Sequence, residues 1–460
     1  MTSASLPPSL HRTFGLLEAT AMNMSNMVGV GPFITIPLIL AAMGGPQAML
    51  GWILGALIAL CDGMVWAELA ATVPSSGGTF EYLKVAYART RLGRLLPFLF
   101  IWQFILSGPL EIASGNIGLA QYLTYLIPLT PREMKWVAVG VGLLTVLLLY
   151  RRISSVGKLM VALWVGMIAT IAVMMVSGFV RFDSQIAFSF PPHAFDFSRG
   201  FVLGLGSAML ISMYDFLGYY SVCYIGDEVK NPSRTVPRSI LISVIVVAAI
   251  YLTMNLSIIG VVPWKQAMQS QFIASEFMEK IYGRTGGVLV TVMIVWTAFA
   301  SVFALMLAYS RIPYAAARDG FFFSVFARLH PTGEFPHVAL LALGAVVIGA
   351  GFFTLDAVIK ALITTRILIQ FIAQIVAVHL LRREPQSKAT FRMAFYPLPS
   401  VVALLGWIYI FFTSGVPYVI GGLVTLVAGV FAFFIWSRSA RPTLPGNPQS
   451  GRAGTQTRFY

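Results

Sequence analysis

Ionisable side chains set inside long apolar runs are where this sequence would do its chemistry. Glu111 stands in SGPLEIASG, flanked by Gly108, Pro109 and Gly115. Asp62 stands in LCDGM, Asp215 in MYDFLG and Arg366 in TTRIL. A charge at the middle of a membrane-spanning helix costs about 3 kcal/mol on insertion scales, so each is a functional candidate by default. Two readings of Glu111 stand side by side. It faces a pocket and holds an amine or a proton, or it forms a structural pair with Arg366. Asp215 either favours a cationic group or caps the end of a broken helix. Asp62 is a further candidate, and Glu18 reads as part of an inner gate.

The elements that position these groups must be helices, since lipid leaves no partner for an open backbone. Their irregularities show where a ligand would enter. The run 16–41 holds Gly29, Gly31 and Pro32 at its middle. Proline lacks an N–H and clashes with the preceding turn, yet it fits the first turn of a new helix. Val28, Gly29, Val30 and Gly31 are therefore expected to be unwound, with a half-helix starting near Pro32. Its free N–H groups would suit a carboxylate. The run 200–223 holds Tyr214, Asp215, Gly218 and Tyr219. Unwinding near Phe216–Gly218 would bare carbonyls that accept from an ammonium group. Glycine and proline in membrane helices also serve packing and kinks. The pairing is what carries weight: runs one and six hold matching positions in two five-helix halves, a pattern that marks a midplane binding site.

Composition sets the solvent. Of 460 residues 58% are hydrophobic and 10% are charged, against about 25% charged in a soluble domain. Such a chain cannot cover itself with polar surface, so lipid must surround it. The net charge of +14 does not signal nucleic acid, because the basic residues cluster between apolar runs. Cys61 and Cys223 both lie in apolar runs and give no disulfide framework. The histidines are scattered, so neither a metal nor a cofactor is expected. The N-terminal segment lacks the layout of a signal peptide.

A crossing helix needs about 20 apolar residues. Twelve spans meet that ruler: 16–41, 47–72, 95–117, 134–150, 157–179, 200–223, 239–262, 285–309, 337–354, 356–381, 396–414 and 416–437. Spans 9 and 10 abut. Residues 74–94 are too polar to cross and should lie at the inner surface. Residues 264–283 read as an amphipathic helix on the outer face. The loops holding Lys84, Arg89, Arg91 and Arg94, then Arg151, Arg152 and Lys158, then Lys230, Arg234 and Arg238, alternate with loops poor in Lys and Arg. Both termini are therefore expected in the cytoplasm of a multi-pass protein of the cell (inner) membrane. Residues 1–13 form the N-terminus, 14–437 the membrane domain, and 438–460 a Pro-, Gly- and Ser-rich tail expected to be disordered. Trp102, Trp136, Trp164 and Trp264 suit interface belts.

Motifs in several loops then fall into order. Gly29-Val30-Gly31-Pro32-Phe33 is followed by Gly44-Gly45-Pro46, by Ala67-Glu68-Leu69 with Pro74-Ser75-Ser76-Gly77-Gly78, by Asp227-Glu228-Val229-Lys230-Asn231-Pro232, and by Ser310-Arg311 with Ala317-Arg318-Asp319-Gly320. Over about residues 14–437 the chain resembles the amino acid–polyamine–organocation superfamily of permeases. That resemblance implies an all-α fold with a five-plus-five inverted repeat, about 14–180 and 200–381, and two further helices, about 396–437. It implies alternating access to a midplane site, driven by exchange or a proton gradient. It implies that Gly29, Val30 and Gly31 cradle a substrate carboxylate while backbone around Gly218 takes the amine, with Tyr214 as a gate. Glu68, Arg311, Arg318 and Asp319 would hold the inner side closed through salt bridges. The sequence departs from proton-coupled relatives in span 5, where Met167 stands in place of a lysine, and has Tyr220 where many relatives carry an acid.

The expected function is secondary transport of amino acids. A polyamine or organic-cation permease of the same superfamily is the alternative, since polyamines lack a carboxylate and the acids Glu111 and Asp215 would serve them. A channel would need pore-lining rings or filter loops, and an enzyme a nucleophile or metal constellation. Neither pattern is present in the sequence. The expected partners are a small-molecule substrate, the bilayer and a coupling proton.

Overall fold

The computed structural model describes residue 12 and residues 14–150, 156–331, 335–384 and 390–439, without the side chains of 156–165, Met167 and Ser439. Expectations placed on Arg151, Arg152, Lys158, Trp164 and Met167, and on most of the two terminal segments, lie outside the described residues.

Helices stand at all twelve expected positions. Span 1 is Leu16–Met27 followed by Gly31–Met43, and span 2 is Met49–Thr72. Spans 3 to 5 are Leu95–Leu126, Pro131–Leu149 and Val156–Val180. Span 6 begins with Arg199–Phe216, and span 7 is Pro232–Ile259. Span 8 ends the helix Ile273–Tyr309, span 9 is His337–Ala350 and span 10 covers Leu355–Arg382. Spans 11 and 12 are Leu398–Thr413 and Val416–Ser439. Among the described residues seven helices are long and apolar enough to cross a membrane, or eight with the bent pair of span 1 taken as one. Their extended pairing is confined to an isolated bridge between Phe14 and Val229. The protein is an all-α, multi-pass membrane protein.

Span 3 runs nine residues beyond its expected end at 117, reaching Leu126. Its polar end is sustained by tertiary partners. Tyr122 donates to the Phe33 carbonyl at 2.7 Å, and Tyr125 donates to Glu279 at 2.6 Å. The amphipathic segment over 264–283 resolves into Trp264–Ala267 and a helix over 273–282. The latter runs into span 8 through Gly283, whose φ of 72° interrupts the helix. The polar segment over 74–94 forms a helix over Thr79–Ala86, where Phe80 meets Phe321 edge to face.

The two broken spans cross. The first half of span 1 packs against the stretch after the span 6 break, and its second half packs against Arg199–Phe216. Spans 2 and 7 lie together behind this pair, while spans 3, 8 and 10 build the facing wall. Span 12 is 17% buried within the protein, which places it at the lipid-facing periphery.

Candidate functional site

Span 1 bends by 49° at its break. Val28, Gly29 and Val30 leave the helix, and the second half restarts at Gly31 with Pro32 in its first turn. Span 6 stops at Phe216 and resumes as a 3₁₀ helix over Ser221–Glu228. Between them Gly218 has φ 107°, and a Cβ there would stand 2.8 Å from the Asn26 Cβ. Only glycine meets both demands.

Broken helices strand backbone groups that lipid cannot satisfy, and neighbouring spans supply partners. Tyr251 of span 7 donates to the Met27 carbonyl at 2.7 Å and to the Asp215 carbonyl at 3.2 Å. One hydroxyl therefore ties together the ends of both first halves. Asn23 of span 1 accepts from the Val222 N–H at 2.9 Å, which anchors the start of the 3₁₀ segment.

Between the breaks lies a cavity of about 30 Å³ lined by Asn26, Gly29–Gly31, Glu111, Tyr214, Asp215 and Ser301 among others. A water needs about 10–15 Å³ by this measure, so the space admits a water or two and no amino acid. It shares Asn26, Glu111 and Leu305 with a vestibule of about 620 Å³. The vestibule opens at the end of the bundle that carries Ser75–Gly77, Arg311, Arg318 and Asp319.

Glu111 forms the partition between these spaces. Arg366 of span 10 pairs with it at 2.9 Å, and Tyr309 of span 8 donates to the same oxygen at 2.9 Å. Arg366 also donates to Ser107 at 3.2 Å and to Tyr220 at 3.5 Å. It is 2% exposed. Residues 367–372, just beyond it, form a π-helical turn. Such turns re-aim side chains and recur at functional sites.

Asp215 lines the cavity from the opposite wall. Thr35 donates to its Oδ2 at 2.6 Å. Its Oδ1 is buried and has no partner among the described residues, and it points at Gly31, where any Cβ would collide with it. Tyr214 reaches across to Ser114 at 2.8 Å and bridges spans 6 and 3.

The structure thus brings Gly29, Val30, Gly31, Glu111, Tyr214 and Asp215 to one cavity, with Gly218 on the vestibule side. Val28 is fully buried beside it. Tyr219 points elsewhere: its hydroxyl donates to Asp62 at 2.5 Å, and Trp407 donates to the other Asp62 oxygen at 3.1 Å. Asp62 is therefore held by two side chains and does not line the cavity. Glu68 pairs with Arg382 of span 10 and accepts from the Met393 N–H at 2.8 Å. Arg311, Arg318 and Asp319 make no bridge to Glu68 and line the vestibule. Asn26, Thr35, Ser301 and Tyr309 were not singled out by sequence. Their only signal is a polar atom within an apolar run.

Comparison with known proteins agrees with this architecture. Residues 14–438 match the family described as amino acid permease. Similar proteins include three from Bacillus subtilis. The methylthioribose transporter is 24% identical over 95% of this chain and 96% of its own length. The serine/threonine exchanger SteT is 24% identical over 87% and 90%, and the branched-chain amino acid permease BcaP 24% over 94% and 94%. A match that runs through the whole bundle, both broken spans included, shows that the chain belongs to the amino acid permease family, within the amino acid–polyamine–organocation superfamily.

Proposed function

We propose that this protein is a secondary active transporter that carries amino acids across the cell membrane by alternating access. The observation that carries the reading is the meeting of two broken spans at one cavity that adjoins a vestibule open at a single end. The serine/threonine exchanger and the branched-chain permease among the relatives support an amino-acid cargo. Gly29, Val30 and Gly31 cradle the substrate carboxylate, and the carbonyls near Gly218 face its amine. The vestibule end is rich in Lys and Arg, so it faces the cytoplasm, and both termini lie there. The described state is then inward-open. On the outer side Tyr122 links the second half of span 1, span 3 and the helix over 273–282: it donates to Phe33 and accepts from the Ala274 N–H at 3.3 Å. Tyr214 gates the cavity, and Glu68, Arg311, Arg318 and Asp319 belong to the inner gate, which draws together when the vestibule closes. A proton gradient or substrate exchange drives net movement.

The test is uptake into proteoliposomes of a panel of labelled amino acids and polyamines, with and without an imposed proton gradient. Saturable amino-acid uptake is expected in the wild type. Gly31→Val should abolish it, because the side chain would strike Asp215 Oδ1 and approach the Tyr214 ring, 3.3 Å from the Cβ position. Amino-acid uptake that survives Gly31→Val would sink the cradle.

A further inference from the structure

The unwound stretch of span 6 borders both the cavity and the vestibule, yet the group that holds it lies outside both. We propose that Asp62 is a positioning residue for transport: from span 2, through Tyr219, it fixes the segment 217–220 so that Tyr220 meets Arg366 at the partition. The proposal rests on the transport reading and adds a residue that never touches substrate.

The segment cannot hold itself. It has left the helical ladder, and Gly218 at φ 107° adds a turn with no side chain to brace it. The next two side chains diverge. The rings of Tyr219 and Tyr220 stand 5.0 Å apart at 81°. Tyr220 turns to the vestibule, where its hydroxyl lies 3.5 Å from Arg366. Tyr219 turns away and is fully buried. One face of span 2 receives both. Asp62 and Trp66 are four residues apart, hence neighbours on that face. Asp62 accepts from the Tyr219 hydroxyl, and Trp66 stacks on the Tyr220 ring at 4.3 Å. With Tyr219 pinned on one side, Tyr220 has little freedom on the other.

The second oxygen of Asp62 carries the link further. Trp407 of span 11 donates to it, and the Trp407 ring stacks on Phe371 at 3.9 Å. Phe371 stands in the π-helical turn that follows Arg366. Both sides of the contact between Tyr220 and Arg366 are therefore braced against one carboxyl group. Span 11 lines neither the cavity nor the vestibule, and it reaches the site through this cluster.

Packing alone does not ask for an acid here. Asp62 is 1% exposed and lines neither open space. An ionisable group inside a membrane span is expensive, and an apolar side chain of the same size would fill its place. What a fully bonded polar cluster adds is a single arrangement.

The experiment uses the full chain. Uptake of whichever labelled amino acid of the panel enters proteoliposomes fastest is normalised to folded protein by size exclusion. Asp62→Leu keeps the branching of the side chain and removes both acceptors. Its KM is expected to rise tenfold or more, and Tyr219→Phe should raise it as much. The two together should do no more than either alone, because both act through one bond. Asp62→Asn should hold KM within about twofold, since its oxygen can accept from Trp407 and its amide can donate to the Tyr219 oxygen. A role limited to folding lowers yield and maximal rate and leaves KM unchanged, and that result would overturn the proposal. Additive losses in the double variant, or a loss in Asp62→Asn equal to that in Asp62→Leu, would overturn it too. Should Asp62→Leu fail to fold, Tyr219→Phe decides, since it removes a hydroxyl and leaves the ring.

Maleimide labelling of Ser221→Cys in detergent is read in parallel. Ser221 lines the vestibule beside the segment, and the native Cys61 and Cys223 are buried. The labelling rate should change threefold or more with Asp62→Leu or Tyr219→Phe. Where the wild type shows uptake, KM decides, and an unchanged KM leaves transport standing while the positioning role falls. Where it shows none, transport is overturned and labelling decides. A changed rate then upholds the positioning role, and an unchanged rate overturns it as well.

Discussion

Two acids face the same cavity from opposite walls, and their surroundings differ in kind. On the wall made by spans 3, 8 and 10, Glu111 meets a guanidinium and a tyrosine hydroxyl, both at 2.9 Å. On the wall made by spans 1 and 6, Asp215 meets one threonine and leaves an oxygen bare. The first wall is complete without a ligand. The second becomes complete only when something enters. A buried ion pair is seldom a net source of stability, because desolvation offsets the attraction. Its worth lies in fixing one arrangement, and here it fixes the partition between cavity and vestibule.

The sharpest way to break this contrast is Arg366→Met. It strands a charge on Glu111 in the interior, a loss of about 3–5 kcal/mol in comparable buried pairs. Folded yield by size exclusion and the unfolding midpoint in detergent are expected to fall steeply. Adding Glu111→Gln removes the stranded charge, so the double variant should regain most of the yield. Its uptake is expected to stay at least tenfold down, because the partition no longer closes. A double variant that regains both yield and uptake would reduce the pair to architecture alone.

A smaller effect probes the other wall through its scaffold. Tyr251→Phe deletes the hydroxyl shared by the Met27 and Asp215 carbonyls. A buried group left unpaired costs about 1–3 kcal/mol, and the phenylalanine leaves no cavity. Stability should fall within that range. Uptake should fall with it, because the angle between the half-helices loosens. An unchanged midpoint would mean that water takes over both carbonyls.

How far the two walls could be read in advance follows the same division. The span 1 break was legible almost to the residue. Unwinding was expected over Val28–Gly31, and it occupies Val28–Val30 with the restart at Gly31. Proline and glycine act on their own backbone, and sequence reports that directly. The span 6 break was placed near Phe216–Gly218 but runs through Leu217–Tyr220 and resumes as a 3₁₀ helix. Its second half is shaped by Asn23, a contact 199 residues away. The aim of side chains on unwound segments was not legible either. Helical periodicity lapses where the helix does, so nothing in the spacing sends Tyr219 toward Asp62. Pairing across the fold was half legible. Arg366 was named as one partner for Glu111, whereas the link from Glu68 to Arg382 spans 314 residues without a sequence cue.

The smallest change separates the charge of Asp215 from its orientation. Thr35→Val keeps the shape of the side chain and removes the one hydroxyl that Asp215 accepts from. A hydrogen bond to a charged group contributes about 1.5–3 kcal/mol. The half-helix N-terminus beside Asp215 offsets part of that loss, so the expected drop in stability is about 1 kcal/mol. The effect on ligands should run the other way. With Oδ2 released, both oxygens can turn to an ammonium, and amine affinity should hold or rise. The unfolding midpoint and the competition constant of a polyamine from the uptake panel, measured on the same preparation, check both parts. A fall in amine affinity of tenfold or more would show that Thr35 aims the carboxylate, and that the unpartnered oxygen does not act without it.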